Sequence, residues 1–85
     1  MSKLDKAKER LKTIPKDYTY SEAKYLLGQL GFVEDNKGKT SGSRVKFYRV
    51  LDGETILLHK PHPSKIVSIG NVRDLAEYLE GIGEL

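Results

Sequence analysis

The sequence predicts an α+β fold in which a helix, three antiparallel strands and a second helix follow one another, after a short N-terminal helix. Three observations predict it: a helix-capping pattern from Thr19 to Glu22, an Asp52-Gly53 pair between two strand-like runs, and an apolar helical stripe after Asn71. The simplest packing of this order puts both helices on one face of the sheet and leaves the other face in water.

The chain as a whole narrows the class of protein. At 85 residues it is one domain, and without cysteine it contains neither a disulfide nor a thiolate metal site. No apolar run is long enough to span a membrane and the first residues lack a secretory signal, so we expect a soluble, cytoplasmic protein with no membrane partner. The carboxylates are scattered, and neither a metal centre nor a small-molecule cofactor is indicated.

The N-terminal segment differs in composition from the rest. Residues 1 to 16 are highly charged, with only Leu4, Ala7 and Leu11 at helical spacing, which predicts a short amphipathic helix ended by Pro15. We therefore divide the chain into a charged helical extension, residues 1–16, and a domain, residues 17–85.

The first helix of the domain has both a start and a stop signal. The hydroxyl of Thr19 and the carboxylate of Glu22 are spaced to cap each other's backbone amides, and Gly31 is placed to end the helix in the left-handed conformation. Between them, apolar residues at helical spacing predict a core-facing stripe of Ala23, Leu26, Leu27 and Leu30.

Three strands are predicted next, at residues 32–35, 43–50 and 55–60. If Asp52 and Gly53 form a two-residue turn, Lys46 lies directly opposite His59. Alternation then gives one core-facing set (Val45, Phe47, Ile56 and Leu58) and one water-facing set (Arg44, Lys46, Tyr48, Leu57 and His59).

A second helix is predicted after the strands. Asn71 is interpreted as its cap, and an apolar stripe follows at Val72, Leu75, Leu79 and Ile82. The resulting order is that of the double-stranded-RNA-binding domain, an analogy of fold that assigns no function.

Charge is unevenly distributed along the chain. The net charge is +3, but residues 37 to 65 carry seven Lys or Arg residues and two acidic residues. Residues 66 to 85 carry one Arg and four acidic residues. A basic strand region beside an acidic last helix favours a surface that faces a polyanion such as RNA.

Four segments in one order resemble a known family: Tyr18 to Glu22, Leu27 to Phe32, Gly42-Ser43 with Phe47, and Pro61-His62-Pro63 with Lys65. Over about residues 17 to 83 the chain is similar to the HicA family of small bacterial mRNA-cleaving toxins. The resemblance implies metal-independent endoribonuclease activity on mRNA, and neutralisation by a HicB-type antitoxin protein.

Arg44 stands where the family has the histidine of a Gly-Ser-His segment. Histidine titrates near neutrality and can take a proton from a ribose 2′-hydroxyl, whereas arginine stays protonated and cannot. Three hypotheses remain open: an active variant in which His59 or His62 is the base, a member that binds RNA or antitoxin but cleaves slowly or not at all, or an introduced change that silences a toxin.

The candidate catalytic residues are therefore Arg44, His59 and His62. Loop and strand residues are candidates for binding RNA through phosphate or base contacts, namely Lys39, Gly42, Ser43, Arg44, Lys46, Tyr48, Lys60 and Lys65. Two alternatives to a toxin nuclease are kept: a noncatalytic RNA-binding module of the same fold, and a protein-interaction domain with a basic sheet face.

Overall fold

A computed structural model describes residues 2–35, 44–61 and 65–85 of the chain. It confirms the predicted α+β order and the short N-terminal helix. The elements are α1 (Lys3–Lys12), α2 (Tyr20–Gln29), β1 (Val33–Asp35), β2 (Arg44–Tyr48), β3 (Thr55–His59) and α3 (Ile69–Gly81).

The sheet has the order β1-β2-β3 and is antiparallel throughout. Arg44 pairs with His59, so the predicted pairing of Lys46 with His59 is wrong by two residues. The reason is the turn: the Arg49 amide donates to the Glu54 carbonyl at 2.9 Å, and the Gly53 amide donates to the Arg49 carbonyl at 2.9 Å. These bonds make a longer loop than a two-residue turn, with Gly53 at a φ of +72°.

The predicted faces survive this correction, because a shift of two residues returns every side chain to the same side of the sheet. Phe47, Ile56 and Leu58 are buried on the inner face, under the helices. We call the opposite side the outer face; it carries Arg44, Lys46, Tyr48, Leu57 and His59, all of them exposed. Strands β2 and β3 end at Tyr48 and His59, earlier than predicted, and Phe32 is buried just before β1.

The start and end of α2 are as predicted. The Glu22 amide donates to the Thr19 hydroxyl at 3.1 Å, and the Thr19 amide donates to the Glu22 carboxylate at 3.0 Å. Gly31 leaves the helix with a φ of +94°, a conformation that costs little only for glycine. Ala23, Leu26 and Leu27 are buried, and Leu30 packs against the core.

Helix α1 packs against α2 and α3, and Leu11 is completely buried in the core. Its Arg10 guanidinium donates to the Asp17 carboxylate at 3.0 Å and to the Glu22 carboxylate that also caps α2. Arg10 therefore connects α1 to the start of α2. Because of its hydrogen bonds to these two partners, the pKa of Glu22 and that of Asp17 are lowered.

Helix α3 begins at Ile69, before the predicted cap at Asn71, which lies inside the first turn. The segment before α3 is fixed to the start of α2: the Val67 amide donates to the Tyr18 carbonyl at 2.8 Å, and the Tyr20 amide donates to the Lys65 carbonyl at 3.0 Å. The helix starts directly after this segment. The predicted apolar stripe is confirmed at Val72, Leu75 and Leu79, and Ile82 packs beside the core after the helix ends.

Candidate functional site

Arg44 and His59 are directly opposite each other on the outer face of the sheet. Direct antiparallel partners have Cβ atoms about 5 Å apart, so two long side chains from these positions reach a common point above the sheet. Both residues are exposed, and Lys46 is the diagonal neighbour of His59 on the same face. The sheet thus brings three nitrogen-bearing side chains to one place.

These residues lie at one end of the sheet, which we call the open end: β1 finishes there at Asp35, β2 begins at Arg44 and β3 finishes at His59. An arginine binds phosphate with two parallel donors and does not lose its proton. The imidazole of a histidine can accept and release a proton. This pair is chemically able to bind a phosphodiester and to move one proton beside it.

The outer face is not uniformly basic. Asp35 lies opposite Lys46, and Val33 lies opposite Tyr48. Val33, Tyr48 and Leu57 are 47%, 36% and 59% exposed, and they form an apolar strip across the three strands. Tyr48 is four residues along β2 from Arg44, a distance of about 13 Å. The structure therefore separates Tyr48 from the Arg44 and His59 pair.

Lys60 and Lys65 lie around Tyr20, at the start of α2. The Lys60 ammonium is 5.8 Å from the centre of the Tyr20 ring, and the Lys65 carbonyl accepts from the Tyr20 amide. The Tyr20 hydroxyl donates to Glu34 at 3.4 Å. Burial of the ring, together with the charge of Glu34, raises the pKa of Tyr20 to about 12. Both lysines are exposed, so a second basic region adjoins the open end.

A groove of about 300 Å³ runs between β3 and α3. His59 lines this groove from the strand, and Asn71 and Asp74 line it from the helix. β3 is an edge strand in the described sheet. His59 consequently borders both the outer face and this groove, and the polar residues of α3 are the groove's other functional groups.

Asn71 and Asp74 were missed as site residues, since the sequence suggested only a helix cap. Their position beside His59 follows from the packing of α3 on β3, which residue spacing does not specify. The sequence assigns Tyr20 no role in a site; the hydrogen bond from its amide to Lys65 and the Lys60 ammonium near its ring show that it borders a basic region.

Four of the predicted site residues, Lys39, Gly42, Ser43 and His62, lie outside the described residues. One basic residue of the predicted polyanion-facing region is placed elsewhere: Arg49 is 6% exposed. Its guanidinium pairs with Asp52 at 2.6 Å and with Glu84, and it donates to the Leu30 carbonyl at 3.0 Å. Arg49 therefore links the turn, the end of α2 and the C-terminal segment, and it is not part of an exposed basic surface.

Within residues 2–35, 44–61 and 65–85, no group of three His, Asp or Glu side chains is placed to hold a metal ion. In the same described part of the chain, no helix is both long and apolar enough to cross a membrane.

Comparison with known proteins gives one family. The model of the HicA toxin of bacterial toxin-antitoxin systems matches residues 20–80, which is more than two thirds of the chain. No curated protein and no solved structure gives a significant match. The matched range runs from α2 to α3 and includes the sheet with Arg44 and His59. The chain belongs to the HicA toxin family.

Proposed function

We propose that this protein is an endoribonuclease toxin that cleaves mRNA without a metal ion and is neutralised by a HicB-type antitoxin. The observation that carries the proposal is the direct cross-strand pairing of Arg44 with His59 on the exposed face of the sheet. Membership of the HicA family supports a toxin of a toxin–antitoxin pair.

In the proposed reaction His59 is the general base. Its imidazole takes the proton of a ribose 2′-hydroxyl, and the 2′-oxygen attacks the adjacent phosphorus. The bond from phosphorus to the 5′-oxygen then breaks, and that oxygen takes a proton from water or from a second acid. The products are a 2′,3′-cyclic phosphate and a 5′-hydroxyl, so atoms and charges balance without a metal ion.

Arg44 has the complementary role in this proposal. Its guanidinium binds the non-bridging phosphate oxygens and stabilises the negative charge that grows on them in the transition state. Lys46, diagonal to His59, adds a positive charge beside the same phosphate. The arginine at the family's histidine position thus becomes an anion-binding group, and the base moves across to the neighbouring strand. His62 remains the alternative base that the resemblance implies.

Further contacts position the RNA. The exposed lysines Lys60 and Lys65, around Tyr20, bind backbone phosphates beyond the cleavage point. Tyr48, with Val33 beside it, offers a flat surface for an unpaired base at the far end of the outer face. An antitoxin that covers this face would bury the apolar strip and block access to Arg44 and His59 together.

A second candidate function follows from the resemblance. It implies that Arg44 takes the place of the family's histidine, and an arginine cannot act as a base, which fits a member that binds RNA without cleaving it. In that case the outer face keeps its affinity for phosphate, and His59 contributes no chemistry.

The test is an incubation of the untagged protein with a long single-stranded RNA in EDTA, with fragment length followed over time. We expect cleavage, a loss of about 100-fold in rate in His59→Ala, and a smaller loss in His59→Gln if hydrogen bonding contributes to binding. Lys8→Ala, which removes an α1 charge away from the sheet, is the matched control and should retain the full rate.

Other outcomes separate the alternatives. Full activity in His59→Ala with loss in His62→Ala would transfer the base to His62. No cleavage by the wild type, with cleavage restored in Arg44→His, would indicate a silenced family site. Salt-dependent RNA binding without cleavage in either protein would establish the noncatalytic module, with the slope of log affinity against log salt reduced by about 1 in Arg44→Ala.

A further inference from the structure

A groove of about 360 Å³ lies between α1 and α2, at the small end of the range of roughly 300 to 1,000 Å³ that ligand pockets occupy. Ala7, Tyr18 and Tyr25 supply an apolar lining, Ser21 adds a small polar side chain, and Lys3 and Lys6 lie at the rim. Helix α1 is outside the residues that match the family model, so this groove is an addition to the shared domain.

Tyr18 gives the groove an unused hydrogen-bonding group. Only 1% of Tyr18 is exposed, and its hydroxyl has no hydrogen-bond partner among the described residues. Burial raises the pKa of Tyr18, and the charges that act on it are those of Glu22 and Arg10, which also line the groove. Tyr18 also lines the groove, so a ligand that displaces the groove wall over this buried hydroxyl and accepts from it supplies the hydrogen bond that the hydroxyl lacks.

The charges around the groove are asymmetric. Arg10 is already engaged by Asp17 and Glu22, which leaves it little attraction for another anion. Lys3 and Lys6 are exposed, and neither forms an ion pair with any residue of the described chain. The rim is thus positive at its α1 side, and it complements a negatively charged ligand.

The groove belongs to the helical layer and not to the outer face of the sheet, since α1 packs on α2 and α3. The proposed cleavage point, between Arg44 and His59, lies on the outer face and not in this groove. The mostly apolar lining also suits a side chain better than a phosphate chain, which needs several donors.

We propose that this groove binds an acidic segment of a partner protein, which inserts one aromatic or large aliphatic side chain against Ala7 and Tyr18. Carboxylates that flank the inserted side chain bind Lys3 and Lys6. The inserted side chain displaces the groove wall over Tyr18, and a carbonyl or carboxylate oxygen of the segment then accepts from the Tyr18 hydroxyl. This inference does not depend on the nuclease activity proposed above.

The binding test uses the full chain, labelled with ¹⁵N, and three acetylated tripeptide amides with central phenylalanine flanked by two glutamates, two glutamines or two lysines. We expect the acidic peptide to bind with a dissociation constant near 1 mM, a value typical of weak anchors, and to shift the amide signals of Ala7, Ser21 and Tyr25. The glutamine peptide should bind several-fold more weakly. Equal binding of all three peptides, or no shift at these amides at 10 mM, would overturn the proposal.

Two substitutions on α1 distinguish binding to the groove lysines from nonspecific attraction to the positive charge of the protein. Lys6→Glu should weaken binding of the acidic peptide by about tenfold, whereas Lys8→Glu makes the same charge change on a residue that does not line the groove and should have a much smaller effect. Ser21→Leu should fill the groove and block binding. Equal losses in the two lysine variants would show nonspecific attraction and contradict a built site.

Tyr18→Phe tests the hydroxyl itself. Removal of a buried hydroxyl without a partner should leave the melting temperature unchanged or raise it, while peptide affinity falls about fivefold. A fall in both quantities would mean that the hydroxyl is structural. RNA cleavage should be unchanged in all these variants; protection of the same amides by a single-stranded RNA would overturn the assignment to a protein partner.

Discussion

Arg44 and Arg49 lie five residues apart in the same stretch of sequence, yet they belong to different parts of the molecule. Arg44 is on the exposed outer face opposite His59. Arg49 is buried at the hairpin end, stacked 4.8 Å from the centre of the Phe32 ring and bonded to Asp52, Glu84 and Leu30. One arginine thus belongs to the candidate site at the start of β2, and the other stabilises the fold just after the end of the strand.

The difference shows why a count of charges overstates a basic surface. Arg49 contributes to the positive total of residues 37 to 65, but its charge is balanced by two carboxylates, one from its own turn and one from the C-terminal segment. Only charges that remain exposed attract a polyanion. In the described sheet the relevant cations are Arg44 and Lys46, at the open end.

The largest expected effect comes from removal of Arg49. Arg49→Met keeps an unbranched chain over Phe32 but leaves Asp52, Glu84 and the Leu30 carbonyl without their common donor. Arg49 is buried although its two carboxylate partners are partly exposed, and its removal breaks several hydrogen bonds at once, so we expect the melting temperature to fall by roughly 10 °C or more. Thermal unfolding followed by circular dichroism measures it.

Arg44→Met is the matched control, because it makes the same change at the exposed end of the strand. It should change the melting temperature by less than about 4 °C and weaken RNA binding instead. Equal thermal effects of the two variants would contradict the division between a structural and a functional arginine.

Much of the fold was predictable because its signals are local. The capping pair of Thr19 and Glu22, the positive φ of Gly31 and the alternation along the two long strands each depend on residues close in sequence. The register failed at the turn: the backbone of Arg49 closes a longer loop with Glu54, while its side chain is held by Glu84 and Leu30. No local pattern at Asp52-Gly53 reveals that constraint.

The candidate site was predictable only in part. The alternation of side chains along the strands placed Arg44, Lys46 and His59 on one face. Which of them are direct neighbours depends on the register between β2 and β3. Lys60 follows His59 directly, yet it lies by Tyr20 because successive strand residues face opposite sides. The groove with Asn71 and Asp74 depends on how α3 packs, and the groove beside Tyr18 depends on the docking of α1, neither of which residue spacing specifies.

Substitution of Gly31, which should have an intermediate effect on stability, tests how closely the surroundings of Arg49 are packed. A Cβ atom at Gly31 would lie 3.3 Å from the Arg49 Cδ, at a φ of +94°. Gly83 is the matched control, since it has a φ of +83° with no atom within 4 Å of its added Cβ. We expect Gly83→Ala to lower the free energy of unfolding by about 1 kcal/mol through strain alone, and Gly31→Ala by about 2 kcal/mol. Urea unfolding measures both; equal losses would show that Arg49 moves aside freely.

The smallest expected effect comes from a comparison of Arg49 with Arg10, which also pairs with two carboxylates. The Arg10 and Glu22 side chains are 37% and 34% exposed, so solvent screens their ion pair far more than that of Arg49. The hydrogen bond from Arg10 still lowers the pKa of Glu22 below its ordinary value of 4.5. A depressed carboxyl pKa stabilises the fold above that value, and the stabilisation is lost as pH falls further and the folded protein takes up the proton.

Glu22→Gln should therefore lower the free energy of unfolding by about 1 kcal/mol at pH 7, and the difference from wild type should shrink toward pH 3. Glu9→Gln is the control, because Glu9 is exposed and pairs with Lys12 within α1, so the variant should differ little from wild type at either pH. Urea unfolding at the two pH values measures the differences. A loss in Glu22→Gln that is the same at pH 3 and pH 7 would show that neutral capping, rather than the ion pair with Arg10, joins α1 to α2.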